Sequence, residues 1–306
     1  MGVYEAGVAV GDHGGWSRVH GRGGCGRFVI DHGPLTIDHH GECMLIGAMN
    51  NPMVDVVQEI ETFAGFGFDF MDLTLEPQAA YSGTLPIEKV RAALERTRIG
   101  VIGHTAWYLP IASPIPEMRE SAICEIERDM LIFASLGATK INVHPFVQAP
   151  LHETRWIRET NIAAFQRLAV RAKELGLKLM LENIAGHFNT PRDLSVVFAA
   201  VPDLGLHLDV GHANLETEHN LTVELASLFA DRLEHVHFSD NNGGNLDLHL
   251  PLGVGKIDWK WIVHILKRIG YDGTITLEVF AEDKEYLLFS RRKLLKLWNE
   301  EDAPAA

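Results

Sequence analysis

One pattern constrains this chain more than any other. Eight short apolar runs recur between residues 44 and 279, separated by longer amphipathic stretches. The runs are MLIGAM (44–49), FDFMDL (68–73), IGVIGHT (99–105), KINVHP (140–145), KLMLEN (178–183), LGLHLDV (204–210), LEHVHFS (233–239) and TITLEV (274–279). The stretches between them, such as ETRWIRETNIAAFQRLAVRAKELG and IDWKWIVHILKRIG, have helical spacing. Gly137, Gly176 and Gly270 fall where a helix hands over to the next strand, the position that favours a left-handed residue. Strand–helix alternation predicts a parallel sheet with right-handed crossovers. Eight units over about 250 residues is the size of a closed (β/α)8 TIM barrel, expected here over residues 44–300. An open doubly wound sheet would carry a Gly-rich phosphate turn after its first strand. Here that turn reads NNP.

Residues 1–43 lack this pattern. VGDHGGWSRVHGRGGCGRFVIDHG is rich in glycine, with no sustained periodicity. Such a stretch buries too little apolar surface to offset its ordering entropy, so a flexible N-terminal extension is expected. It carries His13, His20, His32, His39 and His40, five of the sixteen histidines. The formal charge of −14 repels polyanions and disfavours a nucleic-acid partner. No apolar run reaches the length of a membrane span. The three cysteines, Cys25, Cys43 and Cys124, fit neither a disulfide framework nor a zinc ribbon, and a reducing, cytoplasmic location is expected. No secretory leader is expected.

Barrel enzymes carry their chemistry at the C-terminal ends of the strands. In chain order those ends hold Glu76, His104, His144, Glu182 with Asn183, Asp209 with His212, His237, and Glu278. Asp240, Asp247 and His249 follow strand seven. One histidine or glutamate at a strand end is ordinarily a structural hydrogen-bonding group. Several together differ, because buried carboxylates are rare unless paired or metal-bound. Barrel closure aims Glu182, Asp209, His237 and Glu278 at one mouth, where three negative charges call for a cation. A mixed carboxylate and imidazole set suits Mn, Zn, Co or Mg. Alternation along a barrel strand points His235 inward with His237 but one layer deeper, in a supporting role. His207 stands in the same relation to Asp209.

These residues resemble the xylose isomerase-like (AP endonuclease family 2) barrels. The likeness covers about residues 44–299. It rests on LEN (181–183), DVGH (209–212), HVHFSDN (235–241), DLHLPLGVGKIDW (247–259) and LEV (277–279). The resemblance implies a divalent metal on Glu182, Asp209, His237 and Glu278, with Glu182 and Glu278 also acting as the acid/base pair. It implies that His212 contacts substrate hydroxyls, and that Asp247 and His249 face the site from a loop folded back over the mouth. The implied activity is isomerisation or epimerisation of a small sugar, polyol or sugar phosphate, in a possible homo-oligomer.

The endonuclease IV branch of the same superfamily is the alternative. It implies three zinc ions on His104, His144, Glu182, Asp209, His212, His237, Asp247, His249 and Glu278, with abasic DNA as substrate. ENIAG (182–186) echoes that branch, whereas FSDNNGG stands in place of its NDSK run. Arg155 and Arg158, after strand four, suffice for a sugar phosphate and are thin for a duplex. Trp107 and Tyr108 are candidates for an aromatic wall, and His187 for a substrate contact.

Overall fold

The computed structural model of the chain describes residues 44–300. The expected flexible extension over residues 1–43, with its five histidines, lies outside the described residues. All eight expected strands form: β1 (Leu45–Met49), β2 (Phe70–Leu75), β3 (Gly100–Thr105), β4 (Lys140–Val143), β5 (Lys178–Glu182), β6 (Gly205–Asp209), β7 (Leu233–Phe238) and β8 (Thr274–Leu277). Each pairs in parallel with the next, and β8 closes on β1 through Leu45–Thr274 and Ala48–Leu277. The connecting helices are α1 (Val56–Gly65), α2 (Ile87–Thr97), α3 (Pro116–Ser135), α4 (Thr154–Glu174), α5 (Pro191–Ala200), α6 (Thr222–Leu228), α7 (Trp259–Arg268) and α8 (Glu285–Asn299). The result is a closed TIM barrel.

Local chemistry sets the helix limits. Asp55, Thr190 and Asp258 cap α1, α5 and α7 by accepting the N–H of Gln58, Asp193 and Trp261, each supplying a partner to an otherwise unpaired first-turn donor. Gly137, Gly176 and Gly270 take φ of 84°, 71° and 73°, the left-handed conformation expected of them. No helix among the described residues is long and apolar enough to cross a membrane.

The main apolar core lies between the strands and the helices, built around Phe63, Phe133, Phe165, Leu168 and Leu208. Inside the barrel the apolar filling is small. Phe70, Ile102 and Met180, with Leu45 against them, form a separate cluster near the N-terminal ends of the strands. A Cβ at position 47 would lie 2.3 Å from the Phe70 ring, so Gly47 is what lets that ring cross the barrel. Above this plug the lining turns polar. Asp72, Asn142, His207, His235 and Thr276 are all fully buried, with His104, Glu182, Asp209 and His237 beside them.

Candidate active site

The second strand is displaced from its expected place. The run read as 68–73 pairs as Phe70–Leu75, which puts Asp72 inside the barrel and Glu76 beyond the strand end. Glu76 accepts a hydrogen bond from Thr74 Oγ1 at 3.3 Å and lines the mouth. Asp72, which is not among the expected site residues, is fully buried. The sequence signal for it is slight, an acid inside an otherwise apolar run, and only the structure shows that all six residues of the strand are buried.

The remaining strand ends converge as expected. Asp209 and His237 are register partners on β6 and β7. Asn183, just past β5, accepts the Asp209 N–H at 2.8 Å and donates to its carbonyl at 3.0 Å, so the LEN motif pins the backbone that presents Asp209. The His212 N–H donates to Asp209 Oδ1 at 2.5 Å. The other oxygen, Oδ2, is buried with no hydrogen-bond partner. It lies 3.7 Å from His237 Nδ1, which lies 3.2 Å from Glu278 Oε2. Ligands about 2.0–2.2 Å from one cation sit roughly 3–3.6 Å apart. A buried, unpartnered carboxylate oxygen at such spacing fits a divalent metal.

Among the described residues five sets of donor atoms converge in the barrel. Three of them draw only on expected ligands: Asp209, His237 and Glu278; Glu182, Asp209 and His212; and His104, His144 and Glu182. The other two are His104, His207 and His237, and Asp72, His235 and His237. Glu182 is a hub. Its Oε1 is 3.2 Å from His212 Nδ1, and its Oε2 is 2.9 Å from His144 Nε2 and 2.5 Å from the donating Asn142 Nδ2. Asp247 Oδ2 lies 3.0 Å from both His212 Nε2 and His249 Nε2. All nine histidines and acids named from the sequence therefore reach one mouth, although among the described residues neither Asp247 nor His249 joins a set of three converging donors.

The electrostatics follow from burial and crowding. Burial pushes the Asp209 carboxyl up to about 7, against the pull of His212. Burial also opposes charge on Glu182, but His144 and His207 outweigh it and hold that carboxyl well below its usual range. Burial works against charge on His237 too, and Glu278 and Asp72 override it, raising its pKa well above the ordinary value. His249 is raised to about 9 by Glu278 and Asp247, again against burial.

Asp240 belongs to the loop rather than to the metal-like cluster. It accepts from the backbone N–H groups of Asn241 (2.9 Å), Gly253 (2.7 Å) and Ile257 (3.2 Å) and from Trp259 Nε1 (2.8 Å). These bonds fold the segment that carries Asp247 and His249 back over the mouth. Asp240→Ala leaves those buried donors unpaired. At ~1–3 kcal/mol for an unsatisfied group, we expect a loss of at least about 3 kcal/mol in denaturant unfolding. A loss below about 1 kcal/mol would refute the anchoring role.

A cavity of 950 Å³ opens above the cluster, walled by Trp107, Phe146 and Phe280, with Glu76, Glu282 and Lys284 at its edge. Lys284 is the one Lys or Arg in this lining, and it pairs with Glu59 at 3.2 Å. Arg155 and Arg158 do not line it. Arg155 binds Glu159 and Arg158 binds Asp193, each at 2.8 Å. His187 is absent from the lining too, while Tyr108 lines a neighbouring apolar cavity of 460 Å³.

Comparison with known proteins adds the family context. The profile of the xylose isomerase-like TIM barrel family matches residues 60–301. An uncharacterized protein of Methanocaldococcus jannaschii is 26% identical over 73% of this chain and 78% of its own length. A ketose 3-epimerase of Arthrobacter globiformis is 30% identical over 51% of this chain, a match spanning 54% of that enzyme. The crystal structure of a D-tagatose 3-epimerase-like protein superposes with a TM-score of 0.75 at 25% identity, covering 84% of this chain and 98% of its own.

Proposed function

This chain belongs to the xylose isomerase-like TIM barrel family, and from that premise we propose that it is a metal-dependent epimerase of a small, uncharged ketose. The observation that carries the reading is the place of Asp209. It is shared by the Glu182 set and by the Glu278 set, so two buried glutamates flank one metal-ready carboxylate.

Epimerisation needs a proton removed from the carbon beside a carbonyl and another delivered to the opposite face. Glu182 and Glu278 are the groups suited to that exchange. One takes the C–H proton while the electron pair moves toward the carbonyl oxygen. The other gives a proton back to the same carbon, and the pair ends with its protonation states exchanged. For that exchange one glutamate enters ionised, the state in which His144 and His207 hold Glu182, and the other enters protonated. Glu182, Asp209, His237 and Glu278 would hold the metal, whose positive charge stabilises the negative charge developing on substrate oxygen. Trp107, Phe146 and Phe280 offer apolar faces to a sugar ring. A substrate phosphate would find one lysine there, already paired, which favours an uncharged sugar. Incubation with a panel of ketoses in D2O is expected to yield one epimer pair with deuterium at the inverted carbon. No exchange with any ketose would sink the proposal.

The converging His104, His144 and Glu182 set favours a second reading, a multi-zinc phosphodiesterase for abasic DNA. The cation-poor mouth argues against it, since duplex binding draws on Lys and Arg contacts to phosphate. We expect about one tightly held metal per chain, unchanged in content in His104→Ala and His144→Ala, and no nicking of an abasic duplex. Three zincs per chain, with nicking lost in those variants, would replace the epimerase reading.

A further inference from the structure

The proposed metal set leaves Asp72 unused, yet this carboxylate is fully buried in the barrel. It stands on β2 and reaches groups from β7 and β8, on the far side of β1. Its Oδ2 lies 2.7 Å from His237 Nε2, 3.1 Å from His235 Nε2 and 2.9 Å from the donating Thr276 Oγ1. An ionised carboxylate only accepts, so the 2.7 Å contact requires the proton on His237 Nε2. A neutral ring then has its lone pair on Nδ1, the atom 3.2 Å from Glu278 Oε2 and 3.7 Å from Asp209 Oδ2.

We propose that Asp72 is a positioning residue that holds His237 protonated at Nε2, so that Nδ1 is the atom offered to a divalent cation. The three-donor grip at one oxygen explains how the ring is kept in place. His235 is braced at its other end by Thr274 Oγ1, 2.7 Å from Nδ1, and Thr276 is the register partner of His237 on β8. The ring therefore has little freedom to turn and offer Nε2 instead. A carboxylate behind a metal-bound imidazole also raises its basicity, and loss of such a partner costs about 10- to 100-fold in metal affinity. The inference rests on the metal reading of the site and adds to it which ring atom binds and what fixes that choice.

The test uses the full-length protein, with zinc as the probe. Zinc affinity is measured by chelator competition for wild type and for Asp72→Asn, which keeps the side-chain shape and removes the charge. We expect about 10- to 100-fold weaker binding in the variant, with the circular dichroism of wild type. Nitrogen-15 spectra of histidine-labelled, zinc-loaded wild type should place the His237 proton on Nε2, in a strong hydrogen bond that weakens in Asp72→Asn. Equal zinc affinity in a folded variant, or a wild-type His237 that binds zinc through Nε2, overturns the assignment to Asp72 alone. Should the variant fail to fold, the wild-type spectrum still decides. Wild-type protein that takes up no zinc overturns the metal reading and this inference with it.

Discussion

Glu182→Gln and Glu278→Gln should each lower turnover of the active ketose by about 10²- to 10⁴-fold, the range for removing a positioned general acid or base. Glutamine keeps the shape and one accepting oxygen, so the Asn142 contact at Glu182 survives. The replacement deletes a proton carrier and a metal-binding charge together. Each variant should also melt at a lower temperature, because the folded site, despite burial, favours the ionised carboxylate: His144 and His207 attract Glu182, and His249 and His237 attract Glu278. A paired assay separates the two roles. Zinc content reports the charge, and deuterium exchange at the substrate carbon reports the proton carrier. Full exchange activity in either variant, with metal still bound, would end the acid/base assignment.

Chelation is the second large effect expected. Stripped of divalent metal, the protein should lose essentially all activity and recover it on titration with Mn, Co, Zn or Mg. Melting should move with it. A ligand that binds only the folded state stabilises by RT ln(1 + [L]/Kd), about 2.7 kcal/mol at a hundredfold excess over Kd. Added metal should therefore raise the Tm in a concentration-dependent way, and Asp209→Asn should flatten that rise. A chelated enzyme that turns over at the full rate would remove the metal from the mechanism.

Much of this was readable from the chain, for identifiable reasons. Strand ends are legible because period-two apolar runs stop where polar side chains begin, and Glu182, Asp209, His237 and Glu278 all lie at such stops. The inward aim of His235 followed from its parity with His237, and its 3.1 Å contact to Asp72 lies one layer below the mouth. Asp72 carries no mark of its own in the sequence, being one acid near the end of FDFMDL, and the strand runs two residues further, to Leu75. A strand buried on both faces gives no local sign of which parity looks into the barrel, and closure against β1 and β3 settles it. Asp240 was misleading in the opposite sense. It sits among ligand-type residues, but four donors from its own loop and the start of α7 occupy it. Whether an acid binds a cation or a backbone depends on contacts made after the loop has folded.

The small apolar plug inside the barrel has a consequence for how such a protein can diverge. Phe70, Ile102, Met180 and Leu45 fill one end of the interior, while the extensive packing lies outside, between strands and helices. Mechanical support and chemistry thus occupy opposite faces of the same strands. Alternate residues along each strand answer to separate selective pressures, one set to keep the wall standing and the other to suit a reaction. Descendants of such a barrel can exchange inner residues and acquire new substrates while the outer seam stays intact. Directed evolution of this chain should therefore find tolerated changes of specificity at inward positions near the mouth, and lethal ones at Phe133, Phe165 or Leu168.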